Sequence, residues 1–182
     1  MKKHNFSAGP CILPQEVLKK ASEAIINFNN DELSLIEISH RSPSFVSVIE
    51  KARALSLELL GLENKGYKAL FLQGGASLEF LMVAYNLLNK KAAYLNTGTW
   101  SDKAINEAKH FGELVEVASS KDKKYTYIPK DFRIPEGVDY FHCTSNNTVS
   151  GTQMTEFPET DVPLVCDMSS DIFSRQLDFE KF

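Results

Sequence analysis

The sequence predicts an α/β fold in which a mainly parallel sheet is flanked by helices on both faces. Two observations carry that expectation. Apolar runs of five to seven residues alternate with longer segments of helical period along the 182-residue chain. The turns after those runs are made of Gly, Ser, Thr, Asn and Asp, the composition of strand ends where such sheets collect ligands.

Composition agrees with this class. With 20 basic and 24 acidic residues, a net charge of −4 and 43% hydrophobic residues, the chain has the size of one ordinary soluble domain with length to bury a core. Disorder, collagen and coiled coil are excluded by the same balance. No apolar run approaches a membrane span, and a mildly acidic chain offers no broad basic surface to nucleic acid or anionic lipid. The last residues, Asp178-Phe179-Glu180-Lys181-Phe182, read as a connection into another element, so the fold is expected to continue past them.

The elements follow in order. Asn5-Phe6-Ser7-Ala8-Gly9-Pro10 has no period, and its Gly-Pro is a fixed turn. Pro14 opens a helix in its first turn, where the missing N–H costs nothing. Val17, Leu18, Ala21, Ala24, Ile25 and Phe28 carry the helical spacing to Asn29. A polar stretch and a short run lead to Ser39-His40-Arg41-Ser42-Pro43. From Ser44 a second helix presents Phe45, Val48, Ile49, Ala52, Leu55, Leu59 and Leu60, and Gly61 ends it.

The rhythm then changes. Strands are expected over 68–72, 92–96, 114–118, 138–144 and 162–166. A helix follows Gln73-Gly74-Gly75-Ala76-Ser77 and runs to about Asn89. Another follows Thr97-Gly98-Thr99-Trp100, with Ser101 as its cap, and runs to about Phe111. Cys11, Cys143 and Cys166 are far apart and odd in number, which argues against a disulfide framework or a zinc site. No apolar signal core follows the basic start, so a cytoplasmic location is the expectation.

Four strand ends carry unusual residues. Gly74-Gly75-Ala76-Ser77 lets the backbone turn sharply into a helix start, which suits either a phosphate seat or a tight turn capped by Ser77. It matches neither a P-loop nor a dinucleotide fingerprint. Trp100, the only tryptophan, sits in a polar turn, where it can stack on a planar ring or pack partly buried. The loop 144–151 supplies hydroxyl and amide groups. Asp167 ends an apolar run, where it can meet a protonated heterocyclic nitrogen or a metal, or cap the next turn. No second carboxylate or histidine stands nearby at ligand spacing, so metal is disfavoured. Together, a phosphate seat, an aromatic plate, a hydroxyl loop and a carboxylate are what a phosphorylated pyridine requires.

With these motifs in order, the sequence resembles the phosphoserine aminotransferases, class V enzymes of pyridoxal phosphate fold type I. The pieces that carry the likeness are the 5–10 opening with Leu13-Pro14, Ser39-His40-Arg41, Gly74-Gly75-Ala76-Ser77 and Gly98-Thr99-Trp100. Asn147-Thr148-Val149-Ser150-Gly151 and Asp167-Met168-Ser169-Ser170 with Ser174-Arg175 complete them. The resemblance implies that Ala76 and Ser77 bind the cofactor phosphate, although many relatives have Arg where Ser77 stands. It implies that Trp100 stacks on the ring, Thr148 lies near its phenolic oxygen and Asp167 pairs with the ring nitrogen. Arg41 would hold a substrate carboxylate with His40 beside it, and Ala8 would touch substrate through its main chain.

The implied reaction moves an amino group from glutamate to 3-phosphohydroxypyruvate in serine biosynthesis, with a possible counterpart in pyridoxine biosynthesis, in a cytoplasmic homodimer. The Schiff-base lysine of the family would lie about nine residues past Phe182, so no catalytic residue is expected in this chain and the chain alone is expected to be inactive. Residues 1–14 would be an arm joining a small domain, and 15–182 the N-terminal part of the large cofactor-binding domain, with the rest of both domains outside the sequence. Two other readings stand beside this one. A cysteine desulfurase-like class V enzyme would usually stack a His where Trp100 stands, and a non-catalytic α/β module would use 74–77 for a phosphorylated ligand.

Overall fold

A computed structural model describes residues 3–182; Met1 and Lys2, the start of the expected arm, lie outside the described residues. The chain forms two compact units, Met1–Phe71 and Leu72–Phe182.

In the first unit, helix α1 spans Gln15–Ile26 and helix α2 spans Pro43–Leu60. Pro14 stands just outside α1 as its N-cap rather than within the first turn. The helix also stops short of Asn29, because Asn27 turns to extended backbone and the Phe28–Asn30 turn follows. Asn29 and Asn30 have φ of 54° and 61°, a left-handed conformation that Asn tolerates better than most residues. The Leu35 amide returns to the Ala24 carbonyl at 2.9 Å and closes this loop on α1. At the start of α2, the Ser42 hydroxyl accepts the Phe45 amide and Pro43 occupies the first helical position. At its end Gly61, with φ 67°, donates to Glu58, and Leu62 donates to Leu57.

The run 68–72 is not a strand. Leu70, Phe71 and Leu72 are each more than half exposed, and no described strand runs beside them. An apolar run becomes a strand only when a neighbour satisfies its amides and carbonyls, and here local pattern had no partner.

The second unit is built on helix α3 (Ala76–Leu87), strand β1 (Lys91–Asn96), helix α4 (Thr99–Ala108) and strand β2 (Glu113–Ser119). Strands β3 (Phe141–Thr144), β4 (Asn146–Asn147), β5 (Thr152–Gln153) and β6 (Leu164–Asp167) follow. The main sheet has the order β2-β1-β3-β6 and all its pairs are parallel. Two of the expected strands start later, at Phe141 and Leu164, and the second includes Asp167. The polar loop after Thr144 hides a small antiparallel hairpin of β4 and β5.

Alternation along the strands sorts the core into two layers. Ala92 and Tyr94, with Tyr140 just before β3, pack under Phe80, Ala84 and Leu88 of the α3 end and Ala104, Ile105 and Ala108 of α4. Ala93, Leu95, Phe141, Cys143 and Leu164 face the other way. Within this unit that second face is covered by irregular segments carrying Ile128, Phe132, Ile134 and Phe157, where a helix was expected. Cys143 and Cys166 are register partners across β3 and β6, and all three cysteines are free. Among the described residues no helix is long and apolar enough to cross a membrane.

His142 lies inside the helix-covered layer at 2% exposure. Its ring stacks on Tyr94 at 4.9 Å and meets Phe80 edge-on at 6.1 Å, and its Nδ1 has no hydrogen-bond partner. Burial lowers its pKa from 6.5 to about 4, against a smaller opposing pull from the Asp167 carboxylate. The unfolded chain therefore takes up a proton below about pH 6.5 that the folded chain refuses until about pH 4. Stability should fall across that window by about 3 kcal/mol, and be fully present above it. Urea unfolding of the wild type and His142→Phe at several pH values checks this: the variant should show a flatter acid slope, and equal slopes would refute the assignment.

Candidate functional site

Strand β1 hands the chain to β2 on one side, while β3 lies on the other. That reversal opens a crevice at the carboxyl ends of β1 and β3, where parallel sheets place their ligands. The two loops there meet at closest approach. A Cβ on Gly98 would stand 2.5 Å from Oδ1 of Asn147, so only glycine fits without displacing that side chain. Asn147, itself buried, donates from Nδ2 to the hydroxyls of Thr97 and Thr152.

Gly98 is the N-cap of α4. Ser101, expected as the cap, sits two residues into the helix and reaches back: its hydroxyl accepts the amides of Thr97 and Gly98, both at 2.9 Å. This anchors the first turn, which carries Trp100. The Trp100 indole N–H donates to Oγ1 of Thr148 at 2.9 Å, while 36% of the residue stays exposed. The bond sets the plane of the indole. It also leaves the Thr148 hydroxyl proton free to donate elsewhere.

Asp167 ends β6 directly beside Thr144. Its Oδ1 accepts the amide and hydroxyl of Ser169, at 3.0 and 2.6 Å. Both donors are neutral, so the carboxylate keeps its charge uncompensated at the site. Thr144 and His142 project on the same side of β3, and their Oγ1 and Nδ1 are buried without partners.

Ser77 opens α3 behind Gly75. Gly74 has φ 114°, and a Cβ there would come within 2.7 Å of the Leu78 side chain, so the turn requires glycine. The amides of Ala76 and Ser77 belong to the first helical turn, where no intrahelical acceptor exists. The Ser77 hydroxyl is held by the Lys103 ammonium at 2.6 Å. Among the described residues Lys103 forms no ion pair.

Four expected residues are thus linked by a chain of direct bonds: Ser77 to Lys103 on α4, Trp100 on the same helix to Thr148, and the Thr148 loop to Asp167 through the Ser145 amide at 3.0 Å. Ala76 stands beside Ser77 in the same turn. Ala8, His40 and Arg41 belong to the first unit and are all exposed. The Arg41 amide donates to Ser39 Oγ at 3.1 Å, and its guanidinium forms no ion pair among the described residues. Reading the sequence missed Lys103 and His142, and singled out Asn147 only as part of a motif, with no role of its own. Lys103 follows Trp100 by one helical turn, the only local hint that both face the same crevice. Among the described residues no group of three or more His, Cys, Asp or Glu could hold a metal ion.

Known proteins resemble this chain in sequence and fold. The class-V aminotransferase family profile matches residues 3–182. Phosphoserine aminotransferase of Flavobacterium psychrophilum is 69% identical over the whole chain, which covers 52% of that protein. The enzyme of Bacteroides thetaiotaomicron is 59% identical, with 51% of its length covered. The chain therefore spans about half the length of the curated relatives it matches. A solved phosphoserine aminotransferase from a study of radiation damage to its Schiff base superposes with TM-score 0.95 at 47% identity, over 100% of this chain and 51% of that one. The pyridoxal-phosphate-bound enzyme of Trichomonas vaginalis superposes with TM-score 0.91 at 33% identity, over 99% of this chain and 55% of that one. By sequence and by structure, the chain belongs to the class-V aminotransferase family.

Proposed function

We propose that this chain forms the cofactor-holding part of a pyridoxal phosphate-dependent phosphoserine aminotransferase. The Trp100–Thr148 pair, tied to Asp167 at the carboxyl edge of the sheet, is the observation that carries the reading. The residues present fit the group. Trp100 offers an open indole face, Asp167 a carboxylate with only neutral donors, and Thr148 a free hydroxyl proton. The Ala76 and Ser77 amides, with Lys103 alongside, suit a phosphate.

When bound, pyridoxal phosphate supplies an electron sink for cleaving bonds at an amino acid's α-carbon. The chain's own residues set that up. Asp167, half-buried, would hold a proton on the ring nitrogen by charge pairing. Trp100 would stack on the ring, and Thr148 would donate a hydrogen bond to it. Arg41 suits the carboxylate of an amino or oxo acid through its two parallel donors, with His40 beside it and Ala8 contributing main chain. The name shared by the relatives, phosphoserine aminotransferase, supports an amino-group transfer that yields phosphoserine. Glutamate and 3-phosphohydroxypyruvate as substrates, a cytoplasmic homodimer and service in serine biosynthesis belong to the same proposal and rest on the family resemblance. A role in pyridoxine biosynthesis belongs to the same proposal.

Titration of the protein carrying this chain with pyridoxal phosphate tests the reading. Quenching of Trp100 fluorescence should saturate with the cofactor; no quenching would overturn the assignment. Asp167→Asn should keep binding but lower glutamate-dependent formation of 2-oxoglutarate by roughly 100-fold or more, since an amide cannot balance a protonated ring nitrogen. Lys103→Met should weaken the cofactor about fivefold and leave the affinity for phosphate-free pyridoxal unchanged, because its contribution is an open, screened charge.

A further inference from the structure

Two carboxylates stand four residues apart at the end of β6, and their surroundings differ. Asp167 meets only neutral donors. Asp171 is 6% exposed and meets a cation. Its Oδ2 accepts Nε and Nη2 of Arg175, at 3.2 and 2.9 Å, in a two-pronged pair, and Nε2 of Gln153 at 3.4 Å. Its Oδ1 accepts the Ser145 hydroxyl. Arg175 spends its remaining Nη1 on the Met154 carbonyl at 2.6 Å and lies over the Phe157 ring at 5.8 Å. The pair therefore grips both ends of the 145–154 hairpin, the segment that presents Thr148 to Trp100. Nearby, Asn146 and Ser170 exchange hydrogen bonds of 2.8 and 3.2 Å, so hairpin and turn are stitched along their length.

We infer that Arg175 is a positioning residue for the ring-binding site, acting through Asp171 to hold the Thr148 hairpin against the Asp167 turn. The inference rests on the function proposed above for Thr148 and Asp167. Arg175 does two things at once. It neutralises Asp171, so that Asp167 is the one uncompensated carboxylate of this turn. It also fixes the hairpin's backbone, because a planar guanidinium can serve a carboxylate and a carbonyl together where an ammonium cannot keep the same geometry.

The experiment compares Arg175→Gln, Arg175→Lys and, as a control for lost stability, Leu88→Ala in the helix-covered core layer, away from the Met154 and Phe157 cluster that Arg175 touches. Peptide-resolved hydrogen exchange without cofactor is read first. Exchange in 145–154 should rise about tenfold in Arg175→Gln, less in Arg175→Lys, with peptides of β1 unchanged. Affinity for pyridoxal phosphate should fall about tenfold in Arg175→Gln, while Leu88→Ala lowers the melting temperature without either change. If Arg175→Gln does not fold, Arg175→Lys carries the same comparison. Unchanged hairpin exchange, or exchange rising evenly over all peptides, would overturn the inference. Failure of the wild type to bind pyridoxal phosphate would overturn the function proposed for the site, while the exchange arm would still decide whether Arg175 holds the hairpin.

Discussion

The amide of Ser145 donates to the carbonyl of Asp167 at 3.0 Å, one residue beyond the last paired position of β3 and β6. This bond carries the sheet ladder past the apolar core and into the polar loops. Everything at the site depends on it, because it sets Asp167 and the Thr148 hairpin at one level. Beneath it β3 is buried on both faces and tolerates no slip, since a shift of one residue would exchange the two core layers.

The opposite, amino-terminal end of the central strands is pinned by a different device. Asp139 accepts the amides of Asn89, Lys90 and Lys91 on one carboxylate oxygen, at 2.7 to 3.0 Å. Those amides hold its pKa below the usual carboxylate range, the Lys90 contribution being largest. The bond set aligns the start of β1 with the approach to β3. Between the two strand ends, Tyr94 and Tyr140 share a hydroxyl contact of 2.5 Å in the helix-covered layer, and burial pushes both phenols up. Their polar ends satisfy each other, so the layer beneath α3 and α4 takes two large rings without stranding either hydroxyl. A sheet pinned at both ends of its central strands gives the loops at its carboxyl end a stable base, which a site made of turns requires.

Much of this was legible in the sequence. Helix periods, the Gly61 stop and the strand runs at 92–96 and 114–118 follow from residue pattern, because burial on one face writes a local rhythm. Ser77, Trp100 and Asp167 were legible as unusual turn residues after apolar runs, an end-of-run carboxylate being costly to bury, whereas Thr148 was legible only through the family resemblance, because any polar loop offers hydroxyls. The errors have physical causes. The run 68–72 has strand composition but no partner strand, and pairing is not a local property. Ser101 has cap chemistry, yet Gly98 took the cap position because Asn147, distant in sequence, leaves no room there for a side chain.

The sequence by itself determined the α/β class, the order of the strand ends and the chemistry that each one offers. It did so because periodicity and turn residues are local signals. Only the tertiary structure decided that Lys103 reaches Ser77, that Trp100 bonds Thr148, and that Arg175 neutralises Asp171 while Asp167 meets only neutral donors. Pairings such as Trp100 with Thr148 join residues tens of positions apart, and the Arg175 clamp matters only where it closes on a distant hairpin. Sheet order sets the first kind, and the folded position of Ser145 and Met154 sets the second.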